Sequence, residues 1–152
     1  MEQLGELAKK YAPLAARILL AQVFVISGIG KIARFAGTAA LMAGVGFPAA
    51  NVLLALVIAL EVGGGVLLIV GWHTRWVAVA FCGFTLLATM VFHAFWNSDQ
   101  ASVLSQLNNF MKNFAIMGGM LYVMAYGAGP LSLDRARAAA SGAPAATKKR
   151  KN

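Results

Sequence analysis

One cysteine, Cys82, and two histidines, His73 and His93, are all that 152 residues supply of the commonest soft metal ligands and redox groups. A lone thiol cannot close an internal disulfide, so paired-cysteine thiol oxidoreductase chemistry is excluded for this chain acting alone. Cys82 reads as a small packing residue. His73 and His93 would lie about 30 Å apart on a helix, too far to clamp one haem or metal ion within a subunit. No nucleophile motif or phosphate-binding glycine fingerprint is present. "GIGKIARFAG" lacks the Ser or Thr that follows the lysine of a Walker loop, and Lys31 sits at the end of an apolar helix, not after a strand.

Charge is scarce altogether, at 12% of residues against 60% hydrophobic, and the mean hydropathy is +0.73. Such a balance is hard to reconcile with a solvated globular surface. What is present instead is long apolar runs. Roughly 20 apolar residues, rising about 1.5 Å each, cover a hydrocarbon core of about 30 Å. Four segments reach that length: Pro13 to Gly30, Asn51 to Trp72, Trp76 to Trp96 and Asn113 to Leu133. The expected fold is all-α, a polytopic membrane protein with a bundle of four transmembrane helices. Between the first two, "ARFAGTAALMAGVGFPAA" is too polar and Gly-rich to span. It reads as a short interfacial helix ending near Gly46, with Phe35, Leu41, Met42 and Phe47 on its apolar side. "WHTR" is a tight connection, and "NSDQASVLSQLNNFMK" a longer polar one.

Lys9 and Lys10 ahead of an apolar stretch resemble a secretory signal. Arg17 interrupts that stretch, however, and Lys31 and Arg34 occupy the place of a small-residue cleavage site, so the first helix is expected to stay. Four spans put both termini on one side. Nine Lys and Arg then fall on the terminal side against three opposite (Lys31, Arg34 and Lys112), or five against three without the distant "KKRK". The positive-inside rule makes the terminal side cytoplasmic. Residues 1–134 form one membrane domain in this reading, and residues 135–152 a mobile basic tail suited to solvent or anionic lipid. Nucleic acid is not an expected partner, since no aromatic residue or folded module accompanies the basic run.

The polar residues inside the spans carry the functional signal. Arg17, Phe24, Gly28 and Lys31 share one face of the first helix; Cys82, Leu86, Thr89 and His93 share one on the third; Lys112, Gly119 and Tyr126 share one on the fourth. Glu61 lies about 15 Å from either end of its span, near the bilayer midplane, where an isolated charge costs at least about 2.5–3.5 kcal/mol. It must be paired or protonated and turned inward. Gln22 is expected at a similar depth and Arg17 about 7–8 Å nearer the cytoplasm, with Lys31, His93, Lys112 and Asn113 towards the opposite end. Arg17, Gln22, Lys31, Glu61, His93, Lys112 and Asn113 are therefore the candidate buried polar or ligand cluster, with no catalytic residue and no metal ligand assigned. Two readings stand side by side: a polar clasp that fixes helix register, and a ligand or proton site.

In these same stretches the sequence resembles the DoxX family of bacterial membrane proteins. "FVISGIGKIARFAG", "GFP", "LEVGGGVLLIVGWHTRWVA", "FTLLATMVFHAFW", "NFMKNFAIMGGMLYV" and the closing "GAGPLSLD" follow in the family's order. The resemblance implies a compact four-helix protein of the bacterial inner membrane with polar positions at Lys31, Glu61, Arg75, His93, Lys112 and Asn113. It also implies links to redox complexes, without a settled reaction. Two functions are thus expected. One is a noncatalytic accessory or anchoring subunit of a membrane complex with a protein partner. The other is a quinone-linked oxidoreductase subunit or lipophilic-ligand-binding protein, whose polar cluster meets a head group among Phe24, Phe92 and Tyr122. Trp72, Trp76 and Trp96 fit membrane-interface belts.

Overall fold

The computed structural model describes residues 1–141. Helix α1 runs over Glu2–Ala33, α2 over Phe35–Gly44 and α3 over Ala50–Ile58. A π-helical segment, Ala59–Gly64, joins α3 to α4 (Gly65–Val70), so that Ala50–Val70 is one span. Helix α5 covers Thr74–Phe92, followed by a 3-10 turn at Phe95–Asn97; α6 covers Val103–Tyr126 and α7 Leu133–Ala140. The described residues contain helices and no strand.

Glu2–Ala33, Ala50–Val70 and Thr74–Asn97 are long and apolar enough to cross a membrane. Helix α6, with 24 residues, adds a fourth rod of about 36 Å, so the molecule is a membrane helical bundle. Its outer faces are apolar, as lipid requires: Ile18, Leu19, Ile26, Ile29 and Ile32 of α1 are all exposed.

Packing pairs each helix with an antiparallel neighbour. The span Ala50–Val70 lies so close to α1 that a Cβ on Gly65 would stand 2.5 Å from a Val25 methyl, and one on Gly28 would stand 2.7 Å from Val62. Small residues of this kind let membrane helices approach backbone to backbone. Cys82 facing the Met117 carbonyl and Asn113 facing Thr89 align α6 against α5. The central core joins the two pairs through Ala21, Phe24, Leu68, Val77, Ala78, Phe81, Met120 and Val123, with the Phe24 and Phe81 rings stacked at 3.9 Å. Helix α2 closes the end of the bundle away from the termini, where Ala39 and Met42 pack on Leu54. It ends at Gly44, close to the expected Gly46.

Several boundaries move. Helix α6 begins ten residues before the expected Asn113 and ends at Tyr126, well short of Leu133. The polar segment read as a connection is helical from Val103, where Phe110 packs edge-to-face against Phe95 and Trp96 and stacks on Phe114 one turn later. Beyond Tyr126, Gly127 and Gly129 both take positive φ and end the helix. Residues 135–140 of the expected mobile tail belong to α7, whose Ser132 cap accepts a hydrogen bond from the Arg135 N–H at 3.2 Å. The rest of that tail, with its "KKRK", lies outside the described residues.

Two polar knots secure the terminal end. The buried Arg17 donates through its guanidinium to the carbonyls of Leu68 and Leu131, tying the C-terminal turn of α4 and the segment after α6 to α1. A cation at a helix C-terminus complements the helix dipole. Gly71, at φ 72°, leaves the room this guanidinium fills. The second knot is Asp134. Its carboxylate accepts from the His73 N–H at 2.8 Å and the Thr74 N–H at 2.9 Å, while its own N–H donates to the Gly71 carbonyl at 2.8 Å. One residue of α7 thus caps the start of α5 and holds His73 at φ 49°, a left-handed conformation unfavourable for a non-glycine residue.

Partial burial pushes the Asp134 carboxyl up, but the hydrogen bonds from Thr74 and His73 and the nearby imidazole outweigh it and hold it below its ordinary 3.8. A depressed folded value stabilises the fold above the ordinary carboxylate range, and this stabilisation disappears as pH falls through the folded value. Asp134→Asn is therefore expected to cost about 1 kcal/mol near neutral pH and to flatten the acid limb of a melting-temperature profile in detergent. A variant profile parallel to that of the parent down to pH 3 would refute the cap.

Candidate functional site

Glu61 sits in the π-helical segment, with Gly64 and then Gly65 following. A π turn widens the helix by one residue and rotates the side chains that follow, a device frequent at functional sites. Glu61 here is 2% exposed and directed between α1 and α5. Gly28 of α1 packs against its Cβ, which brings the next helical turn of α1 over the carboxylate. Lys31 Nζ donates to Glu61 Oε1 at 2.8 Å and Oε2 at 2.9 Å, and to Ser27 Oγ at 2.6 Å; Ser27 Oγ donates in turn to Glu61 Oε1 at 3.1 Å. All three ammonium protons are used. The pair is a compact polar spot within an apolar bundle, each charge matched by its partner.

Beside this pair lies a cavity of about 330 Å³. Ser27, Lys31, Thr38, Glu61, Thr85, His93 and Asn113 supply its polar wall, and Val23, Phe24, Leu41, Met42, Val57, Phe84, Ala88, Phe92 and Ile116 its apolar one. The polar groups on the α5 and α6 side form a short chain. Asn113 Nδ2 donates to Thr89 Oγ1 at 2.8 Å, and that hydroxyl donates to the Thr85 carbonyl at 2.6 Å. His93 Nδ1 and Gln106 Oε1 are hydrogen-bonded at 2.8 Å. The volume and the balance of apolar walls with a few convergent polar groups are those of a small-molecule site.

Four of the seven candidate residues therefore line one cavity: Lys31, Glu61, His93 and Asn113. The other three do not. Arg17 is at the terminal end, bonded to carbonyls of α4 and the segment after α6. Gln22 and Lys112 are exposed. The reason is register. Close packing of Gly28 on Glu61 and Val62, and of Gly65 on Ala21 and Val25, places the end of α1, not its middle, beside the carboxylate. Of the expected aromatic residues, Phe24 and Phe92 line the cavity, whereas Tyr122 is 65% exposed and lies beside Tyr126 on the outside of α6.

Sequence reasoning missed Ser27, Thr38, Thr85 and Gln106. Ser27 is one helical turn before Lys31 and Thr85 one turn before Thr89, so the same face analysis that found their neighbours could have reached them. Gln106 was hidden because its segment read as a connection.

A helical membrane bundle built around an intramembrane carboxylate and a lipophilic cavity defines the class of protein. The sequence profile of the DoxX family matches residues 12–94, more than half of the chain, and the protein belongs to this family. It is 41% identical to the inner membrane protein YqjF of Escherichia coli (strain K12) over 122 residues, covering 80% of this chain and 88% of that one. It is 34% identical to the inner membrane protein YphA of the same organism over 122 residues, covering 80% and 87%. No solved structure matches the chain.

Removing one member of a buried ion pair costs about 3–5 kcal/mol, whereas replacing both by apolar residues is often neutral. Glu61→Leu is accordingly expected to lower the detergent melting temperature sharply by stranding Lys31. Glu61→Gln, which keeps a hydrogen-bonding group, should lower it less. The double variant Lys31→Met, Glu61→Leu should recover most of the loss. Equal melting temperatures for Glu61→Leu and the parent protein would disprove the pairing.

Proposed function

We propose that the protein is a multi-pass subunit of the bacterial inner membrane that holds a lipophilic small molecule in the Glu61 cavity, as an accessory or anchoring part of a larger, redox-related complex. The observation that carries this reading is the cavity itself. About 330 Å³ of space inside a lipid-facing bundle, floored by an ion pair and walled by Phe24, Phe84 and Phe92, suits a flat polar head group with an apolar tail, the chemistry of a quinone. Membership of the DoxX family and likeness to two inner membrane proteins support the location.

The composition of the wall supports an accessory part over a self-sufficient catalyst. Its carboxylate and ammonium are already committed to each other, its imidazole is engaged by Gln106, and Cys82 bonds away from the cavity to the Met117 carbonyl. The termini are inferred to be cytoplasmic. Lys9, Lys10, Arg75, Arg135 and Arg137 belong to the terminal end of the bundle, and Lys31, one of the three opposing cations, is neutralised by Glu61.

Purification in mild detergent followed by organic extraction and mass analysis tests the ligand. A specific lipophile beyond bulk phospholipid is expected. Ala88→Phe, which fills the cavity from α5, should reduce its retention about tenfold, equivalent to about 1.4 kcal/mol, without loss of the fold. Bulk phospholipid alone in both samples would reject the reading. Native gels of the same material test the accessory role: a reproducible larger species is expected, and a chain that always migrates alone would reject it.

A further inference from the structure

We infer that the Thr85 hydroxyl is the ligand's anchoring hydrogen-bond donor, and that the cavity selects lipophilic molecules carrying a carbonyl oxygen. This rests on the ligand-binding reading above and names the contact that makes it selective. Thr85 is 4% exposed and lines the cavity, yet its Oγ1 has no hydrogen-bond partner among the described residues.

A threonine inside a helix ordinarily satisfies its hydroxyl by donating to the carbonyl one turn back. Thr89 does so, bonding to the Thr85 carbonyl at 2.6 Å. Thr85 makes no such bond. An unmet buried hydroxyl costs about 1–3 kcal/mol, and in this position a ligand can recover that cost.

The surrounding groups decide what the ligand must offer. Lys31 has its three donors on Ser27 and both oxygens of Glu61, and the Thr38 hydroxyl donates to the Arg34 carbonyl at 3.0 Å. Asn113 spends one of its two amide protons on Thr89. Thr85 is therefore the hydroxyl in the wall with its proton unspent, and the complementary atom is an acceptor without a charge, since the Lys31–Glu61 pair leaves no net charge to balance an ion. A carbonyl oxygen on an apolar molecule meets both conditions. Phe24 and Phe84, with ring centroids 6.5 Å apart, supply apolar surface at the same wall. Two sources share this chemistry, a quinone ring carbonyl and the ester carbonyl of a lipid.

The test measures binding of two probes, a decyl-substituted benzoquinone and dioctanoylglycerol, to the detergent-solubilised full chain and to its Thr85→Val and Thr85→Ser variants. Valine keeps the shape and removes the hydroxyl. Thr85→Val should bind at least one probe about two- to tenfold more weakly, the worth of one net hydrogen bond, while melting at the parent's temperature or above it. Thr85→Ser should retain the parent's affinity. A loss confined to the benzoquinone assigns a ring carbonyl, and a loss confined to the glyceride assigns an ester. Parent-like binding of both probes by Thr85→Val would overturn the inference while leaving the ligand-binding reading intact. A lowered melting temperature would also overturn it, because the hydroxyl would then be bonded within the fold. Failure of the parent chain to bind either probe would reject this inference, and the cavity-filling variant would decide separately whether another ligand occupies the site.

Discussion

A carboxylate in the interior of a bilayer must find a cation or a proton, and the arrangement of this protein follows from the way Glu61 finds Lys31. Lys31 reaches it only if α1 continues past the apolar run to Ala33 and if α1 and the Ala50–Val70 span approach closely. Gly28 and Gly65 permit that approach, and the π-helical segment turns the carboxylate inward. Ser27 completes the site from the same face of α1. Each element is a local feature of the chain, but none has a purpose without the ion pair.

The two halves of the bundle use polarity differently. Towards the termini, Arg17 and Asp134 spend their hydrogen bonds on backbone groups of helix ends and turns, where unpaired carbonyls and N–H groups would otherwise be costly in an apolar setting. These knots hold the two helical hairpins and α7 together. Towards the opposite end, polar side chains face one another across space. That half contains the cavity, closed by α2 through Thr38, Leu41 and Met42.

The shift from expectation to structure in the polar cluster has one physical origin. The centres of the apolar runs put Gln22 at the depth of Glu61 and Arg17 within reach, with Lys31, His93 and the fourth helix as further possible donors. Helices in contact are registered by small residues and ridges, not by the centres of their hydropathy. With Gly28 as the contact, Gln22 is exposed and Lys31 is the donor. Helix α6 shows the same effect: in its polar first turns Phe110 packs against Phe95 and Trp96, a long-range contact that hydropathy does not register.

By itself the sequence determined the helical membrane class, the inward face of α1, the short α2 and the need for Glu61 to be compensated. Each depends only on composition, on the period of one helix or on the cost of one charge. Tertiary structure alone decided the partner of Glu61, the exclusion of Arg17, Gln22 and Lys112 from the cluster, the π turn and the cavity with the unmatched Thr85. Those depend on how far one helix slides along another, and a slide of one turn, about 5.4 Å, exchanges every partner across the interface while leaving each helix's own pattern unchanged.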